Sequence, residues 1–232
     1  MGGGDVNVIV SKHTQHTETS TNANKGAKMA TATEKQEIDV IVEMMEIYIN
    51  SILYKRKLYP EAIFRIRKAY NIPVYISIYS ALNDYIAQTL KAVREMLRNR
   101  KVRRLEVILF EEEDNPLESY VFNLDYQRLA RESDENMSAF EEELRQSLLA
   151  LDARMKNLKR LPESADVKFK ILLHTTESAY VRIGNDPRLQ SFPFVKEVAV
   201  QEADEKSRIE LLPVLQTSCV GVNVFVEEYG RM

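Results

Sequence analysis

Apolar residues recur at spacings of three and four positions in three long segments of the chain, the pattern of helices with one buried face. The first segment predicts a helix over residues 37–58, which ends before Pro60 because proline cannot continue a helix. The second predicts a helix that begins at Ser80 and ends near Asn99, and the third predicts a helix over residues 134–160. We expect the first of these helices to lie at the centre of the core.

Runs of β-branched and aromatic residues predict strands between and after these helices. Residues 102–110 and 117–124 flank the turn-forming sequence "EEEDNP", so they predict an antiparallel hairpin. Residues 166–174 predict another strand, and three strand-like runs follow near the C-terminus: "VKEVAV", "IELLPVL" and "VGVNVFVEE". Three helices with several mainly antiparallel strands predict an α+β domain of two layers.

The N-terminal segment differs from the rest of the chain. Residues 1–33 are rich in glycine, threonine, asparagine and serine and show no sustained apolar period. Such a segment buries too little apolar surface to offset the entropy lost on ordering, so we expect a disordered polar tail. The folded domain is then predicted over residues 34–232. Met29 fits either an alternative start of translation or a junction with added sequence, and the sequence leaves both open.

The charge balance argues against a protein whose main ligand is a nucleic acid. The formal net charge is -3 and the isoelectric point about 5.8, whereas binding to a phosphate backbone normally requires a basic excess. Residues 94–104 are locally basic, with six positive side chains and one negative, and part of this charge favours the C-terminal pole of the second helix. Direct DNA binding through this run stays an alternative hypothesis.

The sequence contains no pattern typical of a membrane segment or a catalytic site. No apolar run approaches the roughly 20 residues needed to cross a bilayer. No glycine occurs between residues 27 and 183, which excludes a glycine-rich phosphate loop from that span. His174 and Cys219 lack a third group to orient them for nucleophilic catalysis, and the two tail histidines lack further metal ligands. We therefore expect a non-enzymatic binding module without a metal or cofactor.

One stretch, residues 59–77, is both basic and aromatic, a composition that suits base stacking with phosphate pairing or a buried transition between elements. A resemblance to the HORMA domain family rests on "ILYKRKLYPEAIFRIRKAYNIPV" (52–74) and on "LNDYI" (82–86). The combination "RK-x-YN-x-PV" is similar to the branch of that family associated with DNA polymerase zeta. The resemblance extends over residues 37–229.

The resemblance implies a HORMA-like domain of three long helices packed on a mainly antiparallel sheet. In the basic and aromatic stretch, it implies that Ile63 and Phe64 turn inward while the charged side chains face outward. It also implies that residues 176–232 form a mobile safety belt, which closes over an extended peptide added as a strand at a sheet edge. Tyr85 and Phe194 match the aromatic pair that grips the prolines of a peptide from the catalytic subunit of DNA polymerase zeta.

Two further contact sites follow from the resemblance. Leu212, Asn223 and Phe225 match the positions that bind the C-terminal domain of a scaffold translesion polymerase. Arg145 matches the arginine that pairs one HORMA domain with another, as a homodimer or a heterodimer. An ATP-driven remodeller of HORMA domains is implied as an additional partner, since opening the belt would require strands to detach and pair elsewhere.

The residue types alone allow plainer roles for three of these positions. Tyr85 fits the core face of a helix, and Phe194 fits a belt anchor, because aromatic side chains are usually buried. Arg145 fits a surface salt bridge with Glu141 or Glu142, which lie one helical turn away.

The sequence therefore predicts a non-enzymatic adaptor that links the catalytic subunit of DNA polymerase zeta to a scaffold polymerase in translesion DNA synthesis. A cell-cycle checkpoint HORMA protein, which binds an activator of the anaphase-promoting complex, is the alternative within the family. Because a single cysteine rules out an internal disulfide and fits a reducing compartment, we expect the protein in the nucleus and also in the cytoplasm.

Overall fold

The computed structural model describes residues 6–10, 32–111, 115–126, 137–162, 166–187, 194–197, 206–216 and 220–229. Helices within these residues are α1 (Ala32–Lys55), α2 (Ser80–Arg98), α3 (Met137–Met155) and α4 (Glu177–Gly184). Strands within them are β1 (Val6–Val10), β2 (Phe64–Ala69), β3 (Ile72–Ser77), β4 (Val102–Phe110), β5 (Pro116–Asp125), β6 (Lys168–Thr175), β7 (Phe194–Glu197), β8 (Lys206–Gln216) and β9 (Gly221–Tyr229).

One sheet organises the domain. Within the described residues it contains seven strands in the order β7-β1-β6-β4-β5-β9-β8, and β2 and β3 form a separate two-stranded hairpin. The pairs from β6 through β8 are antiparallel, whereas β1 runs parallel to both β6 and β7. The predicted hairpin of residues 102–110 and 117–124 is confirmed as β4 and β5.

Helix α1 lies at the centre of the core, as its apolar pattern predicts. Ile41, Met45 and Ile49 are fully buried, and the helix is apolar on most of its circumference, as expected for an element covered on several sides. The ring of Tyr48 packs edge-on against Phe122 of β5, with ring centroids 5.9 Å apart. Its hydroxyl donates to Ser147 Oγ of α3 at 3.1 Å, so one residue joins the sheet, α1 and α3.

Helix α2 matches its predicted start at Ser80 and ends within a residue of its predicted end. Its buried side chains recur at helical spacing and pack into the same core: Leu82, Ile86, Thr89, Leu90, Ala92, Val93, Met96 and Leu97. Long helices on a mainly antiparallel sheet confirm the predicted α+β class. In the described part of the chain, no helix combines the length and apolar composition needed to cross a bilayer.

The basic and aromatic stretch forms a β-hairpin, which the sequence did not indicate. Tyr70 and Asn71 make its two-residue turn, and their positive φ angles of 48° and 61° are those of a type I′ turn. Phe64 is buried and Ile63 half-buried, whereas the cationic side chains of β2 are exposed. The expectation of an apolar inner side and a charged outer side is therefore confirmed.

The structure corrects the sequence prediction at the N-terminus. Residues 6–10, within the predicted disordered tail, form strand β1. Their sequence, VNVIV, consists mainly of β-branched residues, and pairing with strands distant in sequence satisfies a backbone that has no local partner. Most of residues 1–33 lie outside the described residues. The short helix α4, inside the predicted belt, is a second element that the sequence did not predict.

Candidate peptide-binding site

An extended segment lies between β6 and β7, a strand within the predicted belt. Strand β1 pairs with β6 over five consecutive residues, from Val6 opposite Ile171 to Val10 opposite Thr175. On its other side β1 pairs with β7, from Val6 opposite Phe194 onward. We call this position between β6 and β7 the β1 slot. It holds an extended chain by backbone pairing on both sides, which is the geometry of a peptide added to a sheet and then covered.

Tyr85 lies at one end of the β1 slot. Its hydroxyl oxygen accepts the backbone N–H of Ile171 at 3.3 Å, and its ring packs edge-on against Phe169, with centroids 5.6 Å apart. Tyr59 contacts the same phenylalanine ring at 6.2 Å, so three aromatic residues meet where β6 begins. Tyr85 is half-buried, so its ring contributes to the core as well as lining the edge of β6.

The two predicted peptide-binding residues lie at the same end of the slot. Val6 is in register with Ile171 on one side and with Phe194 on the other. Neighbouring strands are about 4.8 Å apart, so the backbones of Ile171 and Phe194 are separated by roughly 10 Å with β1 between them. The hydrogen bond between Tyr85 and Ile171 places the Tyr85 hydroxyl beside the residue that is in register with Val6.

The predicted scaffold-binding residues lie together near the opposite edge of the sheet. Leu212 of β8 is in register with Val224, the residue between Asn223 and Phe225 on β9. Asn223 is half-buried, and only 3% of the surface of Phe225 is exposed. The three positions are therefore adjacent, but in this conformation Phe225 acts as a packed residue rather than as an exposed contact.

Arg145 lies on the outer surface of α3 and holds Glu142 through two hydrogen bonds. Its Nε donates to Glu142 Oε2 at 2.7 Å, and its Nη2 donates to the other carboxylate oxygen. These bonds, together with one from Gln146, lower the pKa of Glu142 to about 2. The surface salt bridge that the sequence allows is thus present, and the guanidinium remains at the surface of the helix.

A buried polar cluster joins β5 and β9 to the end of α1. Glu118 and Glu228 are directly opposite each other on these strands, and each is less than a tenth exposed. The guanidinium of Arg56 contacts the Glu118 carboxylate and donates to the carbonyl of Lys159 at 2.6 Å. Tyr120 donates to Glu118 at 2.8 Å, and the backbone N–H of Lys159 donates to Glu228 at 2.8 Å.

Burial raises the pKa of Glu118, and the nearby Glu228 adds to this effect, while Arg56 and Tyr120 oppose it. Sequence reasoning missed this cluster because its members come from α1, β5, β9 and the segment after α3. These residues are far apart in the sequence, so the sequence pattern does not indicate that they meet in the fold.

A second polar cluster explains His174. Its Nε2 lies 2.9 Å from Glu106 Oε1 on β4, and the same carboxylate accepts from Arg104 at 3.1 Å and from Ser119 at 3.1 Å. Burial opposes ionisation of Glu106, but His174 and Arg104 outweigh it and hold its pKa at about 2. His174 therefore packs against Glu106 within a structural polar cluster. Cys219 lies outside the described residues.

The described residues contain no group of three or more potential metal ligands of the His, Cys, Asp and Glu types. Four of the six cationic side chains in the basic run of residues 94–104 lie near carboxylates: Arg94, Arg98, Arg100 and Arg104. Arg94 pairs with Asp39 at 2.9 Å and Arg98 with Glu95 at 2.9 Å. These ion pairs partly neutralise the two arginines, which weakens the case for DNA binding through this run.

The model of the HORMA domain matches residues 38–182, which is more than half of the chain. The chain belongs to the HORMA domain family. This HORMA protein is 35% identical to the Drosophila melanogaster protein named DNA polymerase zeta subunit 2, over 81% of this chain and 94% of the relative. It is 30% identical to the human mitotic spindle assembly checkpoint protein MAD2B, over 82% of this chain and 90% of the relative.

Solved structures agree on the fold. A chain in the crystal structure of the mitotic checkpoint complex aligns with a TM-score of 0.68 at 16% identity, over 84% of this chain and 99% of that one. C. elegans HTP-2 bound to the HIM-3 closure motif aligns with a TM-score of 0.64 at 13% identity, over 84% of this chain and 91% of that one. The resemblance found in the sequence is thus confirmed, since this HORMA protein is similar to relatives named as a polymerase zeta subunit and as MAD2B.

Proposed function

We propose that this HORMA protein is the non-catalytic adaptor subunit of DNA polymerase zeta in translesion DNA synthesis. The observation that carries the proposal is the β1 slot, in a chain that is 35% identical to a polymerase zeta subunit over nearly the whole of that relative. An extended, Pro-containing peptide of the catalytic subunit would occupy the slot, with backbone pairing to β6 and β7 supplying affinity.

Tyr85 and Phe194 would provide the specificity of this site. An aromatic ring is a suitable surface for a proline ring, and both residues lie at the Val6 end of the slot. The Tyr85 hydroxyl is held by the Ile171 amide, which fixes the ring beside the incoming peptide. Because the site lies on a helix and two strands, it is largely preformed once the belt has closed.

The opposite edge of the sheet would contact the scaffold. Leu212, Asn223 and Phe225 lie on the adjacent strands β8 and β9, so they define one region of the sheet to which we assign the scaffold contact. Since Phe225 is buried, its role would be to support the surface, and Asn223 would make the direct contact. We assign self-association, or pairing with another HORMA domain, to Arg145. The nucleus is the proposed location, and an ATP-driven remodeller would open the belt.

Affinity purification of the full chain from nuclear extract, followed by mass spectrometry, tests the function. Wild type should recover a large B-family polymerase, and the Tyr85→Ala, Phe194→Ala double variant should not. Ile66→Ala is the matched control, because Ile66 is an exposed apolar residue of the separate β2–β3 hairpin. Recovery of the polymerase by both the wild type and the double variant would reject the site.

A second candidate function is that of a checkpoint protein. The 30% identity to a relative named as a spindle assembly checkpoint protein favours it. The same purification separates the two functions, because this candidate predicts recovery of an activator of the anaphase-promoting complex in place of the polymerase. Recovery of neither partner would contradict both functions.

A further inference from the structure

Strand β1 lies inside the sheet although it lies outside the part of the chain that matches the HORMA domain. The family match begins at residue 38, whereas β1 ends at Val10. Even so, β1 has a strand on each side, and four of its residues are in register with both β6 and β7. A segment from outside the matched domain therefore occupies an interior position in that domain's sheet, next to the edge strand β7.

Strand β7, within the predicted belt, joins the sheet through β1. Among the described strands, β7 pairs with β1 alone, and β6 pairs with β4 on one side and β1 on the other. Without β1, one edge of β6 would present its unpaired N–H and C=O groups, and β7 would lose its partner. An exposed edge of this kind is a template for an added strand. The β1 segment thus takes the position in which a partner peptide would bind.

We propose that residues 6–10 are an intramolecular competitor for the β1 slot, so that the chain inhibits its own peptide-binding site until a partner peptide displaces them. This inference rests on the peptide-binding function proposed above. It adds a regulatory segment to the site and identifies the occupant as part of this chain.

The connection to α1 is long enough for this role. Residues 11–31 provide 21 positions between β1 and α1, which can span about 70 Å at roughly 3.3 Å per residue. A tethered segment of this kind has an effective concentration on the order of 1 mM. If the free segment bound with a Kd of about 0.1 mM, tethering would weaken an external peptide about tenfold.

Its composition makes the segment displaceable. VNVIV contains β-branched residues that favour an extended strand, but it has no proline to place between Tyr85 and Phe194. It therefore offers backbone pairing without the contact that we propose for specificity. A Pro-containing peptide would gain both and displace it.

The test uses the full chain and a fluorescent peptide of residues 1–12 as the probe. In the variant Val8→Pro, Ile9→Pro, the two prolines remove backbone donors that β1 needs on its two sides. The variant should bind the probe about tenfold more tightly than wild type in an anisotropy titration. The matched control Thr14→Pro, Gln15→Pro introduces the same residues outside β1 and should bind the probe like wild type.

Hydrogen exchange provides a second readout. The amides of β6 should exchange faster in the Val8→Pro, Ile9→Pro variant than in wild type or in the control, while those of α2 stay unchanged. Equal probe affinity in all three proteins, or unchanged exchange in β6, would overturn the proposal. A wild-type dimer that the variant abolishes would also overturn it, because the segment would then act between two copies.

The probe comes from this chain, so the result is independent of the polymerase. Tighter binding of the probe by the variant, with no binding of a polymerase zeta peptide, would support self-occupancy and reject the proposed function. Binding of the polymerase peptide with equal affinity by wild type and variant would support the function and reject self-occupancy.

Discussion

Glu118 and Glu228 face each other across the β5–β9 pair, and both are almost excluded from solvent. Two carboxylates in this arrangement repel each other unless a cation or hydrogen-bond donors compensate. Arg56 compensates Glu118 directly, and the Lys159 amide binds Glu228. The burial of this carboxylate pair between β5 and β9 is therefore stabilised by Arg56, the residue that follows α1.

Arg56→Met should lower the free energy of unfolding by about 3 kcal/mol, because it leaves a buried carboxylate without its cation. Chemical denaturation at pH 7 measures the loss, and Lys68→Met, which removes an exposed cation from β2, is the control. The deficit should shrink as the pH falls. The pKa of Glu118 is already raised, so its protonated form is favoured in the folded state, and the variant should raise this pKa further. A deficit that grows on acidification would contradict this explanation.

Glu106 should make the protein more sensitive to acid. Its pKa in the folded state is about 2, below its ordinary value of 4.5, so its contribution is complete above pH 4.5 and is lost as the pH falls towards 2. Wild type should lose on the order of 2 kcal/mol more stability than Glu106→Gln across this window. Urea denaturation at several pH values checks the difference, with Glu61→Gln as a control that should behave like wild type. Parallel curves for wild type and Glu106→Gln would refute the role of the cluster around Glu106.

Arg145→Ala should weaken self-association without changing the thermal unfolding of the monomer, since the side chain lies at the surface of α3. Sedimentation velocity measures the association. Glu142→Gln is the informative control, because it removes the charge partner while keeping Arg145 available to another HORMA domain. If Arg145→Ala sedimented like wild type over the same concentrations, the salt bridge would be the only role of Arg145.

The elements predicted most accurately carry their signal within the element itself. The apolar stripe of α2 and the β-branched runs of β4 and β5 indicate their secondary structure locally. The observed ends of these elements lie close to the predicted ones. The β2–β3 hairpin was missed because its turn is Tyr70-Asn71, without the glycine or proline that usually marks such a turn. The turn is nevertheless defined by two positive φ angles.

Some features of the candidate site could be predicted from the sequence, and others could not. Tyr85 and Phe194 were identified in the sequence by their resemblance to a family pattern, and the register of β1 brings them to one end of the slot. The occupant of the slot was not predictable, because parallel pairing with strands distant in sequence leaves no mark on residues 6–10 beyond their β propensity. The Glu118 and Glu106 clusters likewise assemble from residues far apart in the chain.

Binding of a fluorescent, Pro-containing peptide from the catalytic subunit of DNA polymerase zeta tests the central claim most directly. An anisotropy titration should give an affinity for wild type that the Tyr85→Ala, Phe194→Ala variant loses by about 30-fold or more, which corresponds to about 2 kcal/mol for a pair of aromatic anchors. Ile66→Ala should bind like wild type, and all three proteins should show a cooperative thermal transition. Equal affinity of wild type and the double variant, with both folded, would contradict the account.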